Sequence, residues 1–582
     1  MKFFSFFLVC TIGAGMYAQS FTKIVSGPMV STPGDSRSVN WVDVNNDGFL
    51  DCMITNGPNG GQNNTLFFNN GNGGFNALTG DSIVLDNKPS DGATWADTDN
   101  DGDEDCFVVN WYGANNLFYK NDGSGGFVKI NSGALVTDGG FSETASWGDY
   151  DNDGLVDLYV TNSAGTLQNF LYKNMGISGF LKVVGGDVVT DAFQSRSVNW
   201  TDMDLDGDLD LFVTNEGGQN ENVYRNDGNG VFNRIFTGTL VNGGGNTMSS
   251  SWGDYDNDGD LDVFLANDLS NNALFRNDGN FNFTKITTDT VSRDFGRSFS
   301  SAWSDVDNDG DLDLYVTNAF GPQIKRTCFF YLNNGNGSFS RINNNPIVLD
   351  SAWTYGCAFG DYDNDGFEDL AVATCRFAAV DQPDFLYRNN GNANNWITIK
   401  LRGVISNRSA IGTKIRVKAV INGVPVWQMR EISAQNGYCS QNDIRAHFGI
   451  GNATKVDSIK IEWPSGILQC SVNVTRNQFL TIIEDVTLNA VRLYKYDEAP
   501  IRIFPNPVTS QLTIDWVYNF SAGDKIRITD MAGKLVLEEE INYTTARYTI
   551  DLKKYALTVG AYNLSVHISE RAVVTQKILI EK

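Results

Sequence analysis

A nine-residue run of the form D-x-[DN]-x-D-G-x-x-D occurs seven times in the 582 residues, beginning at positions 43, 97, 149, 202, 254, 305 and 361. Successive starts lie 51 to 56 residues apart. An aromatic stands two residues before each first Asp: Trp41, Trp95, Trp147, Trp200, Trp252, Trp303 and Phe359. Seven copies in register, at a period within the range of repeat architectures, outweigh a chance run of acidic turn residues. Each unit continues with a short apolar stretch such as "DLYVTN", a second such as "NVYRNDGNGVF" with an Asn/Asp-Gly turn, and a third such as "FNRI". Together with the stretch before the run, that makes four short strands per unit. Seven four-stranded units predict a β-propeller, with blades around a central channel.

The run itself demands a cation. "DYDNDGDLDV", residues 254–263, holds five Asp and one Asn in ten positions. Like charges about 4 Å apart cost roughly 4 kcal/mol per pair at an effective dielectric near 20. Asp254, Asp256 and Asp258 alternate and can converge as the chain curls. Gly259 permits the sharp turn, the carbonyl of Asp260 points inward, and Asp262 closes the ring. An all-oxygen cage of this kind suits Ca²⁺. The start resembles an EF-hand loop, but the twelfth position is Leu265 rather than Glu, and the flanks read as strands. The expected structure is a nine-residue cage at a hairpin tip.

Positions 1, 3, 5 and 9 of each run supply the candidate metal ligands. They are Asp43, Asn45, Asp47 and Asp51 in the first, and Asp97, Asp99, Asp101 and Asp105 in the second. The third has Asp149, Asp151, Asp153 and Asp157; the fourth has Asp202, Asp204, Asp206 and Asp210. The fifth has Asp254, Asp256, Asp258 and Asp262, the sixth Asp305, Asp307, Asp309 and Asp313, and the seventh Asp361, Asp363, Asp365 and Asp369. Up to seven Ca²⁺ are expected, with the first cage weakest because Asn45 replaces an Asp. These sets hold 27 carboxylates against a formal net charge of −26, so the acidity is essentially the cages. This sign speaks against nucleic acid, which needs Lys/Arg stripes.

The seventh unit, "LYRNNGNANNW", lacks its last strand, while "FTKI" (Phe21 to Ile24) stands alone near the start. That strand is expected to complete the seventh blade beside residues 385–388 and so reduce exposed edges. Over about residues 21–393 the repeats resemble the FG-GAP/VCBS repeats of the integrin α propeller, which carry the same Ca²⁺ cage between two strands of a blade. They depart from that pattern in having a cage in all seven units.

Past residue 395 the repeats stop. "NNWITIKLRGVISNRSAIGTKIRVKAV" alternates like strands. Arg430, Gly437, Tyr438, "HFGIG" at 447–451 and "WPSG" at 463–466 resemble the ASPIC/UnbV domain that follows such propellers in cartilage acidic protein-like proteins. His447 is the one His outside the C-terminal tail. It is an obvious candidate base, but no acid or nucleophile stands near it in sequence, so a structural role in a Gly-rich turn is the better reading. From residue 500, "IRIFPNPVTSQLTI", "KIRITDMAGKLV", "LTVGAY" and "KILIEK" read as a small β-sandwich. Their order resembles a type IX secretion sorting domain, which implies export across the outer membrane and then release or surface attachment.

The N-terminus, "MKFFSFFLVCTIGAGMYAQS", reads as a secretory signal peptide with Ala18 or Gln19 as the last residue removed. "FLV" before Cys10 is a poor lipobox. No other stretch has the roughly 20 apolar residues of a membrane span; "LAVATCRFAAV" is short and interrupted by Arg376. Cys357 with Cys375, and Cys439 with Cys470, are candidate disulfides in an oxidising compartment, whereas Cys52 and Cys106 fit equally as buried thiols and Cys328 is left over.

The expected fold is all-β: a signal peptide (1–19), a seven-bladed propeller (20–394), a small ASPIC/UnbV-like β domain (395–485), a linker (486–499) and an Ig-like sandwich (500–582). The expected function is a secreted or cell-surface calcium-binding module for glycan or protein adhesion, handled by the type IX machinery. Two alternatives stand beside it. A calcium-dependent polysaccharide lyase would need a base and a charge-stabilising cation, and no such cluster is visible in the sequence. A structural surface-layer protein would self-assemble.

Overall fold

The computed structural model describes residues 19–486 except 229 and 323, together with 501–580 except 505–507, 521–522, 531–533, 543–544, 556 and 569–570. The expected signal peptide lies outside the described residues apart from Gln19, and the expected linker lies outside them apart from Val486. The chain divides into two compact units. One comprises Met1–Arg402, Asn407–Ile459 and Ser471–Ile482; the other comprises Gly403–Ser406, Lys460–Cys470 and Ile483–Lys582.

In the first unit each acidic run follows the leading strand of an antiparallel four-stranded array. Five arrays are separate sheets, and those of the fifth and sixth repeats join into one eight-stranded sheet where Asp262–Asn271 pairs with Phe295–Ser304. In the first array these strands are Ser36–Val42, Asp51–Asn56, Thr65–Asn69 and Phe75–Ala77. The leading strands neighbour one another in chain order, and Thr354–Gly360 of the seventh array lies against Ser36–Val42 of the first, which closes the ring. The seventh array is completed by Phe21–Lys23, antiparallel to Phe385–Asn389 with Phe21 opposite Asn389. Gln19, just before it, is buried, and its side chain donates to Asn389.

The aromatic before each run packs between blades. Trp41 stacks on Tyr362, Trp200 on Tyr150 and Trp303 on Tyr255, with centroids 6.1, 6.0 and 6.3 Å apart. In each case the partner is the second residue of the preceding blade's acidic run. Such pairs add about 0.5–1.5 kcal/mol each beyond area burial, and here they tie each cage loop to the next blade's core.

Beyond the ring, Asn395–Arg402 is the central strand between Ala446–Gly451 and Phe479–Ile483. Lys414–Ile421 and Val424–Glu431 form a hairpin in continuous register. Its two-residue turn is Asn422-Gly423, at φ 51° and 83°, the left-handed pair that an Asn-Gly hairpin turn requires.

In the second unit, Gln511–Phe520 is flanked by Ile501–Phe504 and Thr545–Asp551, while Lys525–Asp530 and Gly560–Ile568 pair between Leu535–Glu540 and Arg571–Ile580. Alternate residues of these strands, among them Leu512, Ile514, Ile526, Ile528, Leu564 and Val566, form one buried core.

The two expected disulfides are not formed, and all seven described cysteines are free. Cys357 sits opposite Val372 in its ladder, with Cys375 three residues further along and in a different core cluster. The Cys439 sulfur is buried 3.2 Å from the Glu143 carbonyl, whereas Cys470 is exposed. Cys357 and Cys375 therefore do not face each other across the ladder as a disulfide there requires.

Candidate functional site: the acidic rim and the filled channel

Each acidic run is the loop between the first and second strands of its blade, so all seven lie on one rim. Two local devices shape them. The fourth residue adopts left-handed backbone in every copy: Asn46, Asn100, Asn152, Leu205, Asn257, Asn308 and Asn364 have φ between 55° and 62°. The first Asp then folds back over the loop amides. Asp97, for example, accepts from the Asp101 amide at 3.0 Å and the Gly102 amide at 2.7 Å.

Ligand atoms converge to within 4.8 Å in Asp97/Asp99/Asp101, Asp149/Asp151/Asp157, Asp202/Asp204/Asp206, Asp254/Asp256/Asp262 and Asp305/Asp307/Asp313. These groups can hold a metal ion. The ninth residue also closes the loop on its blade. One oxygen of Asp262 accepts from the Asn277 amide at 2.8 Å and the other from the Tyr255 amide at 3.2 Å. Asp361, Asp363, Asp365 and Asp369 take the same loop positions in the seventh blade, with Asp361 accepting from the Asp365 and Gly366 amides. In the first loop the Asn45 amide donates to Asp47 at 3.1 Å, and Lys400 lies 3.8 Å from Asp43.

The donor chemistry fits a hard cation. All donors are oxygen, and buried oxygens of Asp151, Asp157, Asp204, Asp256 and Asp363 lack a hydrogen-bond partner among the described residues. Burial pushes Asp97, Asp149, Asp254 and Asp361 up to about 7, and neighbouring carboxylates add to the rise. Asp309 is pushed up to about 8 by burial and then by Asp307.

The seven loops are not equivalent. Lys120 pairs with Asp99 and Asp105, Lys173 with Asp151 and Asp153, Arg388 with Asp363 and Asp365, and Lys414 with Asp202. The ligand carboxylates of the fifth and sixth loops make no ion pair among the described residues. A side-chain cation competes with a metal for the same oxygens, so the fifth and sixth loops are the stronger candidates.

Two asparagine systems, neither singled out in the sequence reading, lace the rim together. The Asn that ends each third strand donates to the carbonyl of the second loop residue in the preceding blade. The pairs are Asn69 to Tyr362, Asn121 to Val44, Asn174 to Thr98, Asn226 to Tyr150, Asn277 to Met203, Asn333 to Tyr255 and Asn389 to Val306, at 2.7–2.9 Å. The fourth-position Asn reaches the following loop, as in Asn100 to Gly154, Asn257 to Gly310, Asn308 to Gly366 and Asn364 to Gly48. Leu205 cannot donate, and at that break Arg416 supplies the bond to the Gly259 carbonyl at 3.1 Å. The recurrence of Asn in "YKN", "YRN" and "DND" was the available signal.

The segment after residue 395 meets this rim. The Ser409 hydroxyl accepts from the Asp97 amide at 2.8 Å, and Gly449 N donates to Asp305 at 3.1 Å. His447 is fixed between Thr398 (2.9 Å) and Asn308 (2.6 Å) and lowered to about 3 by burial. Both ring nitrogens are engaged, which makes it a structural residue. Residues 434–443 then pass down the channel. They bond to the leading strands through Ala434–Thr94, Gln435–Asn199, Ser440–Val39 and Gln441–Trp95. Gly437 has φ 62°, and a Cβ there would collide with the Ser301 carbonyl. Tyr438 is fully buried. Its hydroxyl donates to Glu143 and lies 3.2 Å from both Tyr355 and Arg196. Burial favours a raised Glu143, but Arg196 and the surrounding donors outweigh it and hold Glu143 below the usual carboxylate range.

At the opposite mouth the ends of the second strands and the starts of the first strands carry aromatics. Trp111 packs on Tyr112 and Phe141 (4.6 and 4.9 Å), and Trp353 on Phe320 and Phe377 (5.3 and 5.1 Å). Tyr112 is 46% exposed and Phe295 64%.

A ring of caged blades with its channel filled by a following β domain defines a modular, repeat-built propeller protein. Residues 43–108, 97–160, 202–265, 254–316 and 325–372 match the FG-GAP-like repeat, 403–489 match ASPIC and UnbV, and 502–581 match the secretion system C-terminal sorting domain. The chain thus carries FG-GAP repeats, an ASPIC/UnbV domain and a type IX sorting tail. The tail marks it for export to the cell surface or beyond. No helix among the described residues is long and apolar enough to cross a membrane. The chain is similar to cartilage acidic protein 1 of Xenopus tropicalis, 25% identical over 334 residues, covering 55% of this chain and 47% of that protein. The Mus musculus protein is 25% identical over 288 residues, covering 47% and 42%. The chain therefore spans less than half the length of these curated relatives. Among solved structures it is similar to PorZ of Porphyromonas gingivalis, described as an essential bacterial surface component of the type IX secretion system. That likeness has TM-score 0.39 and 11% identity, covering 96% of this chain and 61% of the other.

Proposed function

We propose that the chain is a secreted, calcium-stabilised binding module whose glycan or protein ligand docks on the propeller mouth opposite the acidic rim. The observation that carries this reading is the division of the two mouths. On the rim side Ser409, His447 and Gly449 of the same compact unit bond to the loops, and residues 434–443 fill the channel, whereas the far mouth presents exposed and half-buried aromatic rings. Aromatic surfaces with polar neighbours are common binding platforms.

Calcium is held by positions 1, 3, 5 and 9 of the seven loops and keeps their carboxylates charged and converged. Asp256→Ala should lower the bound-calcium count, measured by plasma mass spectrometry, by about one of seven. An unchanged count removes Asp256 from the ligand set. The reading also carries the partition at 20–394, 395–485 and 500–582. Cleavage of the signal peptide falls after Ala18, because Gln19 is buried against Asn389 and its carbonyl accepts from Asn345.

A lyase would need a phenol or amine lowered for proton abstraction. Tyr355 and Tyr438, the channel phenols, are instead raised by burial and then by neighbouring carboxylates. The test is retention of the calcium-loaded protein on a panel of plant and algal polysaccharides, with unsaturated products followed in parallel. Retention without cleavage, lost on Trp353→Ala, is the expected result. Cleavage that a chelator abolishes would replace this reading with the lyase. Silence in both channels would leave a protein ligand, sought by crosslinking at the same mouth.

A further inference from the structure

Where residues 429–447 lie over blades four to seven there is a cavity of about 120 Å³, lined among others by Trp252, Trp303, Glu368, Arg430, Gln435 and His447. A cavity of this size is ample for a small organic molecule. Its walls are unusual in their unmet hydrogen bonds. Gln435 is 1% exposed, and neither its amide nitrogen nor its amide oxygen has a hydrogen-bond partner among the described residues. Nη2 of Arg430 and Oε1 of Glu368 (a residue 5% exposed) are likewise without one. Buried polar groups are rarely left unpaired, and each lost bond opposes folding.

The charges in the wall point to the kind of guest. Four carboxylates line the cavity besides Arg430 and Arg445. Asp443 is taken by Arg445 at 2.6 Å, Asp305 accepts from the Asp309 and Gly310 amides, and Glu431 accepts from the Asp202 amide and lies 4.0 Å from Lys414. Glu368 is the fourth. Both nitrogens of His447 are taken by Thr398 and Asn308. Glu368 Oε1 lies 3.7 Å from Nδ1 of His447. Arg430 is a buried cation with no ion pair among the described residues. Its Nη1 donates to its neighbour's carbonyl, Met429 O, at 2.8 Å. The carboxylates that act on it, Asp305, Asp254 and Asp311, all belong to the fifth and sixth acidic loops. A guanidinium with an unmet Nη2 in the same cavity as an unmet carboxamide can receive a carboxylate. The amide oxygen of Gln435 adds an acceptor for a hydroxyl on the same molecule.

We infer that this cavity is a binding site for a small hydroxycarboxylate, gripped by Arg430 and Gln435. It is separate from the aromatic mouth and does not depend on what binds there.

The test is calorimetric titration of the full calcium-loaded chain with glycolate, and with glycolamide as its uncharged counterpart. Saturable glycolate binding is expected, at least tenfold tighter than glycolamide and weakened at least tenfold by R430Q. Gln435→Glu places a carboxylate inside the cavity and should abolish binding while keeping the side-chain shape. If R430Q does not fold, judged by its melt, Q435E and R430K carry the test, since R430K keeps the charge and loses the fork. Absence of saturable glycolate binding, equal affinity for glycolamide, or binding that Q435E leaves unchanged each overturns the assignment.

Discussion

Chelation of calcium should lower the melting midpoint of the full chain by on the order of 15 °C, the larger of the two stability effects expected here. A site filled at 100 times its dissociation constant adds about 2.7 kcal/mol to the folded state. In a unit of this size each kcal/mol shifts the midpoint by roughly 1–2 °C. The loss should not be confined to one blade, because each cage loop is bonded to its neighbours through the third-strand Asn and, at six of seven steps, the fourth-position Asn. The effect should also depend on pH in a definite sense. Burial pushes Asp97, Asp149, Asp254 and Asp361 up to about 7 from 3.8. Without a cation the folded chain therefore holds protons that the unfolded chain has released. Between about pH 4 and 7 the ion-free fold loses stability as pH rises, while the calcium-loaded fold has already given up those protons. The gap between the calcium and chelator melts should thus widen from pH 5 to pH 8. A gap that is absent, or that narrows over this interval, would sink the assignment of calcium to the loops.

What was legible in the sequence follows from how local each feature is. The all-β propeller was readable because its unit is short and its ligands sit at alternate positions of one loop. The run from Asp254 to Asp262 spells its own turn. The differences between loops were less visible. Lys120, Lys173 and Arg388 come from third strands 15 or more residues away, and only the fold shows that they reach the carboxylates. Leu205, which replaces the fourth-position Asn of the other six loops, was not singled out, and its consequence, the substitute bond from Arg416, crosses into another part of the chain. The disulfide expectations failed for a similar reason. Equal spacing around a cage says nothing about which ladder positions face each other, and Cys357 faces Val372. The filled channel was not readable at all. Tyr438 meets Glu143 across 295 residues of sequence, and a contact made once leaves no period to detect.

Tyr438→Ala should separate what the channel segment joins. The side chain is fully buried, packed 5.0 Å from Tyr355 and 6.2 Å from Phe299. Its hydroxyl serves Glu143 beside Arg196, Tyr355 and Asp91. Removing a buried aromatic costs about 3–5 kcal/mol, and leaving Glu143 short of a donor adds about 1–3 kcal/mol. Much of that loss should fall on the insertion rather than on the blades, whose sheets are bonded independently of it. Limited proteolysis in saturating calcium should therefore cut Tyr438→Ala within residues 434–443, where the parent chain is protected, while the propeller core stays resistant. Tyr438→Phe keeps the ring and loses the hydroxyl; it should lower the melt by less and remain uncut. Equal protection of the Ala variant and the parent would show that the segment is held in the channel by its backbone bonds to Thr94, Asn199 and Val39 alone. Cleavage within the blades would show instead that the insertion is part of the propeller's own core, and that the ring needs its plug to close.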